Sequence, residues 1–327
     1  MKKNFFIFLL LLFCLNNYAQ YTGGLTHQPD TSYTNFSAYQ STLKTNPGIR
    51  LVEVSNNPSV TVQKNIAYTS IGKRSLVLDA FYPKEKNKRN GIAIIMIHGG
   101  GWRTGNRTQH YALVQKLATL GYTCFTPEYR LSTEALFPAA VYDLKAAIRW
   151  VRSHADSYGI DSAKITTAGF SAGGELAAFL GVTGNMPLFE GTNGLPTTAS
   201  NVNAVIDMDG ILSFIHPESG EGDDSKRISA ATYWFGYPRK GHEQLWAAAS
   251  SLSYTDQYSP PTLFINSSVE RMHAGRTDYI AILDRYHIYS EIHSFSNTPH
   301  SFPMFEPWFT PTVGFIDTFL KKVFTSK

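Results

Sequence analysis

The stretch from Lys164 to Gly181 constrains the fold of this chain more than any other part of the sequence. It begins as a β-branched apolar run, turns sharply through Gly-Phe-Ser-Ala-Gly centred on Ser171, and continues as a segment rich in Ala and Leu. A Gly-x-Ser-x-Gly pentapeptide between a strand and a helix holds its serine on a tight turn with the hydroxyl exposed. Small residues also occur in ordinary strand-to-helix turns, so the rest of the chain must distinguish a reactive serine from a simple turn.

Apolar runs alternate with helical patterns along the rest of the chain. Residues 91–97 are continuously apolar, which is typical of a strand covered on both faces of a parallel sheet. Strands that alternate with helices predict an α/β fold with a mostly parallel central sheet flanked by helices. The other predicted strands are 59–63, 66–70, 76–82, 122–126, 165–168, 201–208, 261–266 and 289–295, and the main predicted helices are 111–120, 138–155, 278–286 and 312–324.

Residues 1–19 have the pattern of a secretory signal peptide: two lysines, a short apolar run and a polar tail that ends at Ala19. We expect cleavage after Ala19 and a secreted or periplasmic protein, with no integral membrane segment in the mature chain. The bulky residues before Cys14 argue against a lipoprotein. Cys124 would then be the only cysteine, which excludes an intramolecular disulfide.

The remaining chain is predicted to hold an N-terminal extension, 20–50, and one catalytic domain, 51–327, with a cap-like insertion at 210–258. Removal of the two N-terminal lysines lowers the formal net charge from +4 to +2. This near-neutral balance argues against nucleic acid as a partner. The acidic residues of the insertion lack the spacing of a calcium loop, so we expect neither a metal nor another cofactor.

The segment His98-Gly-Gly-Gly101 directly follows the apolar strand 91–97. Successive glycines let backbone N–H groups approach a substrate closely and stabilise a developing oxyanion. We expect the oxyanion hole to use the N–H of Gly100 or Gly101 together with that of Ala172. His98 is expected to support this loop rather than to react.

A serine needs an imidazole to accept its proton before it becomes a good nucleophile. His300 is the expected base, because it follows Ser171 in the order Ser, acid, His and lies in the last loop between a strand and a helix. His273 and His293 are lesser candidates.

The acid that orients this imidazole has three candidates. Glu270 is favoured, because it lies a few residues past the strand 261–266 and between Ser171 and His300 in the sequence. Asp278 is a rival that is expected to cap the following helix instead. Asp209 is the third candidate, from the end of the preceding strand.

Several motifs together resemble the α/β-hydrolase superfamily: His-Gly-Gly-Gly-Trp at 98–102, Tyr-Arg-Leu-Ser at 129–132, Tyr-Gly-Ile-Asp at 158–161 and Gly-Phe-Ser-Ala-Gly-Gly at 169–174. Within it, the chain is similar to the esterase/lipase group that contains bacterial feruloyl and acetyl xylan esterases. Its C-terminal part looks like secreted pectin-degrading esterases. The chain departs from the family where Glu270-Arg271 replaces the usual Asp-Pro, which leaves the acid open.

The resemblance implies an α/β-hydrolase fold and a serine carbohydrate esterase. Such an enzyme removes acetyl, methyl or feruloyl groups from plant polysaccharides such as pectin or xylan through an acyl-enzyme. Trp102 and Trp308 are candidates for stacking on sugar rings, and Arg276 for binding a uronate carboxylate, although core packing and a structural ion pair are the alternatives. A general short-chain carboxylesterase or lipase and a serine peptidase of the same fold are the competing functions.

Overall fold

The computed structural model describes residues 20–184 and 186–325, so the predicted signal peptide lies outside the described residues. None of the described helices is long and apolar enough to cross a membrane. In chain order the strands are β1 (Arg50–Leu51), β2 (Val60–Ile71), β3 (Arg74–Pro83), β4 (Ala93–Ile97), β5 (Thr123–Pro127), β6 (Ile165–Phe170), β7 (Ala204–Met208), β8 (Thr262–Asn266), β9 (Ser290–Ser294) and β10 (Phe305–Glu306).

Eight of these strands form one sheet in the order β2-β3-β5-β4-β6-β7-β8-β9. The pairs from β5 to β9 are parallel, whereas β3 is antiparallel to both of its neighbours. The predicted mostly parallel sheet is therefore confirmed. The predicted strands 59–63 and 66–70 form the single strand β2, whose register shifts between Gln63 and Ile66.

Helices cover both faces of this sheet. They are α1 (Asn35–Leu43), α2 (Tyr111–Thr119), α3 (Ala139–Ser153), α4 (Ala155–Tyr158), α5 (Ala172–Val182), α6 (Pro187–Glu190), α7 (Ala230–Phe235), α8 (Glu243–Ala248), α9 (Arg276–Arg285) and α10 (Phe309–Thr325).

Strand β4 shows how the two faces are filled. Ile95 and Ile97 belong to an apolar cluster that includes residues of α3 and α5, whereas Ile94 and Met96 belong to a second cluster with residues of α2 and α10. Side chains alternate between the faces of a strand, so a strand buried on both faces must be apolar at every position. This explains the unbroken apolar run in the sequence.

The N-terminal extension lies against the catalytic domain. Helix α1 begins at a capping box formed by Thr34 and Ser37, and β1 pairs with β10. Asp30 forms a β-bridge with Thr104, just after the glycine loop. The extension therefore runs close to the segment that was predicted to hold the oxyanion.

The predicted insertion 210–258 contains α7 and α8 as well as irregular segments. Trp234 on α7 is fully buried and stacks on Trp102 with ring centroids 4.9 Å apart. The insertion thus packs against the residue that follows the glycine loop.

Candidate active site

Ser171 occupies the sharp turn between β6 and α5 with φ 58° and ψ −123°. A left-handed φ is unfavourable for a residue with a side chain, so the surrounding structure must enforce it. Both glycines of the motif permit close packing around this turn. A Cβ on Gly169 would lie 1.9 Å from the carbonyl oxygen of Gly173, and one on Gly173 would lie 2.2 Å from that of Ile97. The pentapeptide is therefore a strained turn built around the serine.

His300 connects Ser171 to a buried carboxylate. Its Nε2 lies 2.9 Å from Ser171 Oγ, and its Nδ1 lies 2.9 Å from Asp209 Oδ2. Ser171 follows β6, Asp209 follows β7, and His300 lies in the loop after β9, so all three meet at the carboxyl edge of the parallel strands. The structure brings the predicted nucleophile and base together.

The prediction of Glu270 as the orienting acid is wrong. Glu270 begins a short 3-10 helix after β8 and its side chain is exposed, whereas Asp209 is fully buried against His300. Asp278, the other rival, lies in the first turn of α9 and pairs with His216 at 3.4 Å. The expected capping position is taken by Gly275 instead. Strands β7 and β8 are neighbours that end at the same edge, so sequence order alone could not separate their acids.

Burial alone would raise the pKa of Asp209, but hydrogen bonds from the side chains of His273, His300 and Ser267 hold this pKa at about 2. The Ser267 N–H donates to Asp209 Oδ1 at 2.8 Å, and His273 Nε2 lies 3.6 Å from the same oxygen. At neutral pH Asp209 is thus an anion that can only accept hydrogen bonds. His300 must therefore carry its proton on Nδ1, which leaves Nε2 free to accept the proton of Ser171.

The glycine loop lies beside the serine. Gly100 and Gly101 have φ values of 122° and 60°, and both line the same cleft as Ser171 and Ala172. Among the described residues, no hydrogen-bond acceptor pairs with the backbone N–H of Gly100, Gly101 or Ala172. These three N–H groups are available to an oxyanion in the cleft, as an oxyanion hole requires.

Buried side chains hold this loop in place. The ring of His98 is buried and stacks on Tyr129 with centroids 4.4 Å apart, and burial lowers the pKa of His98 to about 4. His98 is therefore neutral at pH 7, with Nδ1 within 2.9 Å of the Gly99 carbonyl oxygen. On the other side of the loop, Trp102 Nε1 donates to Glu175 Oε2 at 2.9 Å.

Glu175 is fully buried in the first turn of α5, directly behind the nucleophile. Burial raises the pKa of Glu175 well above its usual value, which favours the neutral carboxylic acid. Neither the contact of Glu175 with Trp102 nor that of His273 with Asp209 was predicted from the sequence. A carboxylate within the apolar sequence of α5 was the available signal for the first of them.

A cleft of about 940 Å³ opens above the serine. Its wall includes Ser171, His300 and the glycine loop, together with part of the insertion and Tyr33 from the N-terminal extension. The remaining lining residues are Trp102, Arg103, Thr104, Ala172, Ile211, Gly220, Glu221, Asp223, Lys226, Arg227, Ile228, Ser229, Ala230, Tyr233, Arg271 and Met272.

Of the three predicted substrate-binding residues, only Trp102 lines this cleft, and its side chain is 4% exposed. Arg276 is turned away, with Nη1 donating to Asn266 Oδ1 at 2.6 Å behind Asp209. Trp308 packs against the apolar cluster around α10. The predictions for Arg276 and Trp308 are wrong, because Arg276 is bonded to Asn266, Trp308 packs on an apolar cluster, and neither lines the cleft around the serine.

Comparisons with curated proteins find esterases. Esterase LipC of Mycobacterium tuberculosis (strain ATCC 25618 / H37Rv) is 29% identical over 198 residues, which is 59% of this chain and 47% of LipC. An arylesterase of Saccharolobus solfataricus is 41% identical over 98 residues, or 30% of this chain and 32% of that protein. The matched part of the chain therefore spans about half or less of these relatives.

Similar solved structures cover more of the chain. A truncated carbohydrate esterase from gut microbiota has a TM-score of 0.69 at 25% identity, covering 82% of this chain and 99% of that one. The butyrate-bound esterase Est2 of Thermogutta terrifontis has a TM-score of 0.64 at 25% identity, covering 82% and 95%. The BD-FAE family model matches residues 78–272, more than half of the chain. The fold is therefore that of the α/β-hydrolases, and the chain belongs to the BD-FAE family.

Proposed function

We propose that this protein is a serine carboxylic-ester hydrolase that removes acetyl, methyl or feruloyl substituents from plant polysaccharides such as pectin or xylan. The observation that carries the proposal is the continuous hydrogen-bonded chain from Ser171 Oγ through His300 to Asp209, at the floor of an open cleft. Nucleophile, base and orienting acid in this order are the requirement for acyl transfer by a serine.

The mechanism follows from the protonation states. Ser171 Oγ attacks the ester carbonyl carbon while His300 Nε2 takes its proton, and Asp209 stabilises the imidazolium that forms. The N–H groups of Gly100 or Gly101 and of Ala172 stabilise the tetrahedral oxyanion. His300 then protonates the leaving alcohol. Water, activated by the same imidazole, releases the acid from the acyl-enzyme and regenerates Ser171.

The shape of the cleft supports a polysaccharide substrate. Its volume is about 940 Å³, and its lining mixes charged and hydroxyl side chains with the aromatic rings of Tyr33 and Tyr233. Aromatic faces with polar edges suit the apolar faces and hydroxyl rims of sugar rings. The solved carbohydrate esterase from gut microbiota, similar over nearly its whole length, supports the same class.

A general short-chain carboxylesterase is the second candidate, favoured by the likeness to the butyrate-bound Thermogutta terrifontis esterase. Release of acetate, methanol and ferulate from pectin and from xylan, measured side by side with turnover of p-nitrophenyl acetate, tests the proposal. We expect one of the three products from at least one polymer. Turnover of p-nitrophenyl acetate without release from either polymer would favour the short-chain carboxylesterase.

We also propose that the protein is exported, with cleavage after Ala19. The basic start and the short apolar run of residues 1–19 support this. The N-terminal sequence of protein recovered from outside the cytoplasm tests it. A chain that retains Lys2 and Lys3 would contradict the proposal.

A further inference from the structure

One wall of the cleft carries more positive than negative charge. The charged residues that line the cleft are Arg103, Lys226, Arg227, Arg271, Glu221 and Asp223. Lys226 and Arg227 lie on the exposed segment between β7 and α7, and Arg271 follows β8. These three residues face the same cleft as Ser171 and His300, and we call them the cationic wall.

The two carboxylates of the lining offset only part of this charge, because the lining holds four cationic side chains and two anionic ones. Glu221 is largely buried, and its Oε2 accepts the N–H of Ala231 at 3.2 Å. Its other oxygen forms an ion pair with Arg271 Nη1 at 3.7 Å, so Glu221 offsets the charge of one member of the wall. Asp223 accepts the N–H of Ser225 within its own turn.

The neighbouring Asp224 is held close to the start of α7, where it accepts from the Ser229 N–H at 2.7 Å and the Thr232 hydroxyl at 2.8 Å, and it does not line the cleft. Among the described residues, no carboxylate forms a salt bridge with Lys226 or Arg227. Their charges are thus directed to the solvent of the cleft. A fixed patch of one sign in a concave site raises the local concentration of ligands of the opposite sign.

Arg103 does not belong to this wall. Its guanidinium lies 4.1 Å from the centroid of the Tyr233 ring, and its Nη1 is 3.4 Å from the Gly24 carbonyl oxygen. Arg103 therefore ties the N-terminal extension to the insertion. Arg276, the residue expected from the sequence to bind a uronate, lies outside the cleft.

We infer that the cleft is built for acidic polysaccharide esters, and that Lys226, Arg227 and Arg271 bind a uronate carboxylate near the ester that Ser171 attacks. This inference rests on the proposed function and selects a substrate class within it, a uronate polymer rather than a neutral one. Guanidinium groups suit carboxylates because they bind both oxygens at once, whereas Lys226 supplies a point charge.

Two matched polymers test the inference. Polygalacturonate and its carboxyl-reduced counterpart, each acetylated to the same degree, differ in charge and share the acetyl ester. For each polymer, kcat/KM is divided by that for p-nitrophenyl acetate with the same protein preparation, so that any loss of folded enzyme cancels. We expect the wild type to prefer the acidic polymer by at least about tenfold at low salt, and this preference to shrink as sodium chloride is added.

The double variant Lys226→Gln/Arg227→Gln should lower the ratio of acidic to neutral kcat/KM by about tenfold, since removing a charge-assisted hydrogen bond costs at least this much. Lys240→Gln, an exposed lysine of the same region outside the cleft, is the matched control and should leave the ratio unchanged. Equal cleavage of both polymers by the wild type, or an unchanged ratio in the double variant, would overturn this inference and leave the proposed function intact. Cleavage of neither polymer would also overturn this inference, and the proposed function would fall with it only if pectin and xylan release no acetate, methanol or ferulate while p-nitrophenyl acetate is still turned over.

Discussion

His300 Nδ1 lies 2.9 Å from Asp209 Oδ2, and the carboxylate is completely buried. Asp209 has φ 54°, so the chain after β7 is held in a left-handed conformation that turns this side chain toward the histidine. Strain of this kind persists only where the surroundings enforce it. The Ser267 N–H from the end of β8 holds the second carboxylate oxygen. Residues at the ends of the neighbouring strands β7 and β8 thus position Asp209 together.

Replacing Asp209 should distinguish its role from that of Glu270, the carboxylate that follows the neighbouring strand β8. Asp209→Asn keeps the shape but favours the wrong tautomer of His300, so kcat for p-nitrophenyl acetate should fall roughly 10³–10⁴-fold. Glu270→Gln is the matched control, because Glu270 is exposed and outside the hydrogen-bonded chain. Circular dichroism checks that both variants fold. A larger loss in Glu270→Gln than in Asp209→Asn would contradict the assignment.

The buried acid Glu175 should make stability depend on pH. Its folded-state pKa is raised, whereas the pKa of an unfolded glutamate is about 4.3. The neutral acid therefore contributes fully to stability below about pH 4.3, and this contribution is lost as the pH rises toward the folded-state pKa, by up to about 1.4 kcal/mol per pH unit.

Glu175→Gln removes this ionisation and keeps an acceptor for Trp102 Nε1. The melting temperature of the variant relative to the wild type should rise between pH 4.5 and pH 8. Thermal unfolding across this range gives the difference. A difference that stays constant with pH would show that Glu175 is not held neutral in the folded protein.

The glycine loop should not tolerate a side chain. A Cβ on Gly100 would lie 2.0 Å from the Thr104 carbonyl oxygen at a φ of 122°, so Gly100→Ala must displace the loop. We expect kcat to fall about 10²–10³-fold, as for the loss of one oxyanion donor. Gly48→Ala is the control, since nothing lies within 4 Å of its Cβ, and its steady-state kinetics should match the wild type. Equal kcat in Gly100→Ala and Gly48→Ala would show that the glycine loop takes no part in the mechanism.

Arg276 should affect stability rather than recognition of acidic substrates. Its bond to Asn266 lies behind Asp209, and its Nε is buried without a partner among the described residues. Arg276→Gln should lower the free energy of unfolding by about 1–3 kcal/mol, measured by urea denaturation. The ratio of kcat/KM for acidic and neutral polymers should not change. A large fall in this ratio would show that Arg276 does take part in recognising acidic substrates.

The local sequence carries enough information for the fold and for two members of the site. Residues 91–97 are apolar at every position because both faces of β4 are covered, and the pentapeptide around Ser171 needs glycines where a Cβ would collide with backbone. His300 follows from chain order. These features are set by neighbours in the sequence or by the alternation of strands and helices.

The identity of the orienting acid and the directions of Arg276 and Trp308 depend on contacts between residues far apart in the sequence. Asp209 and Glu270 follow adjacent strands. Which of them reaches His300 depends on the left-handed backbone at Asp209, and no local sequence pattern predicts that conformation. The direction of Arg276 depends on Asn266, and that of Trp308 on the apolar cluster around α10. Such orientations are fixed only when the elements pack.

The hydrogen bond between His300 and Ser171 makes Ser171 the nucleophile of this site. Intact-protein mass spectrometry after treatment with an organophosphonate ester, followed by peptide mapping, tests it most directly. The wild type should gain one phosphonyl group, mapped to Ser171, and lose turnover of p-nitrophenyl acetate in proportion. Ser171→Ala should stay folded, unlabelled and inactive. Labelling of another residue in the wild type, or retained turnover in Ser171→Ala, would show that Ser171 is not the nucleophile.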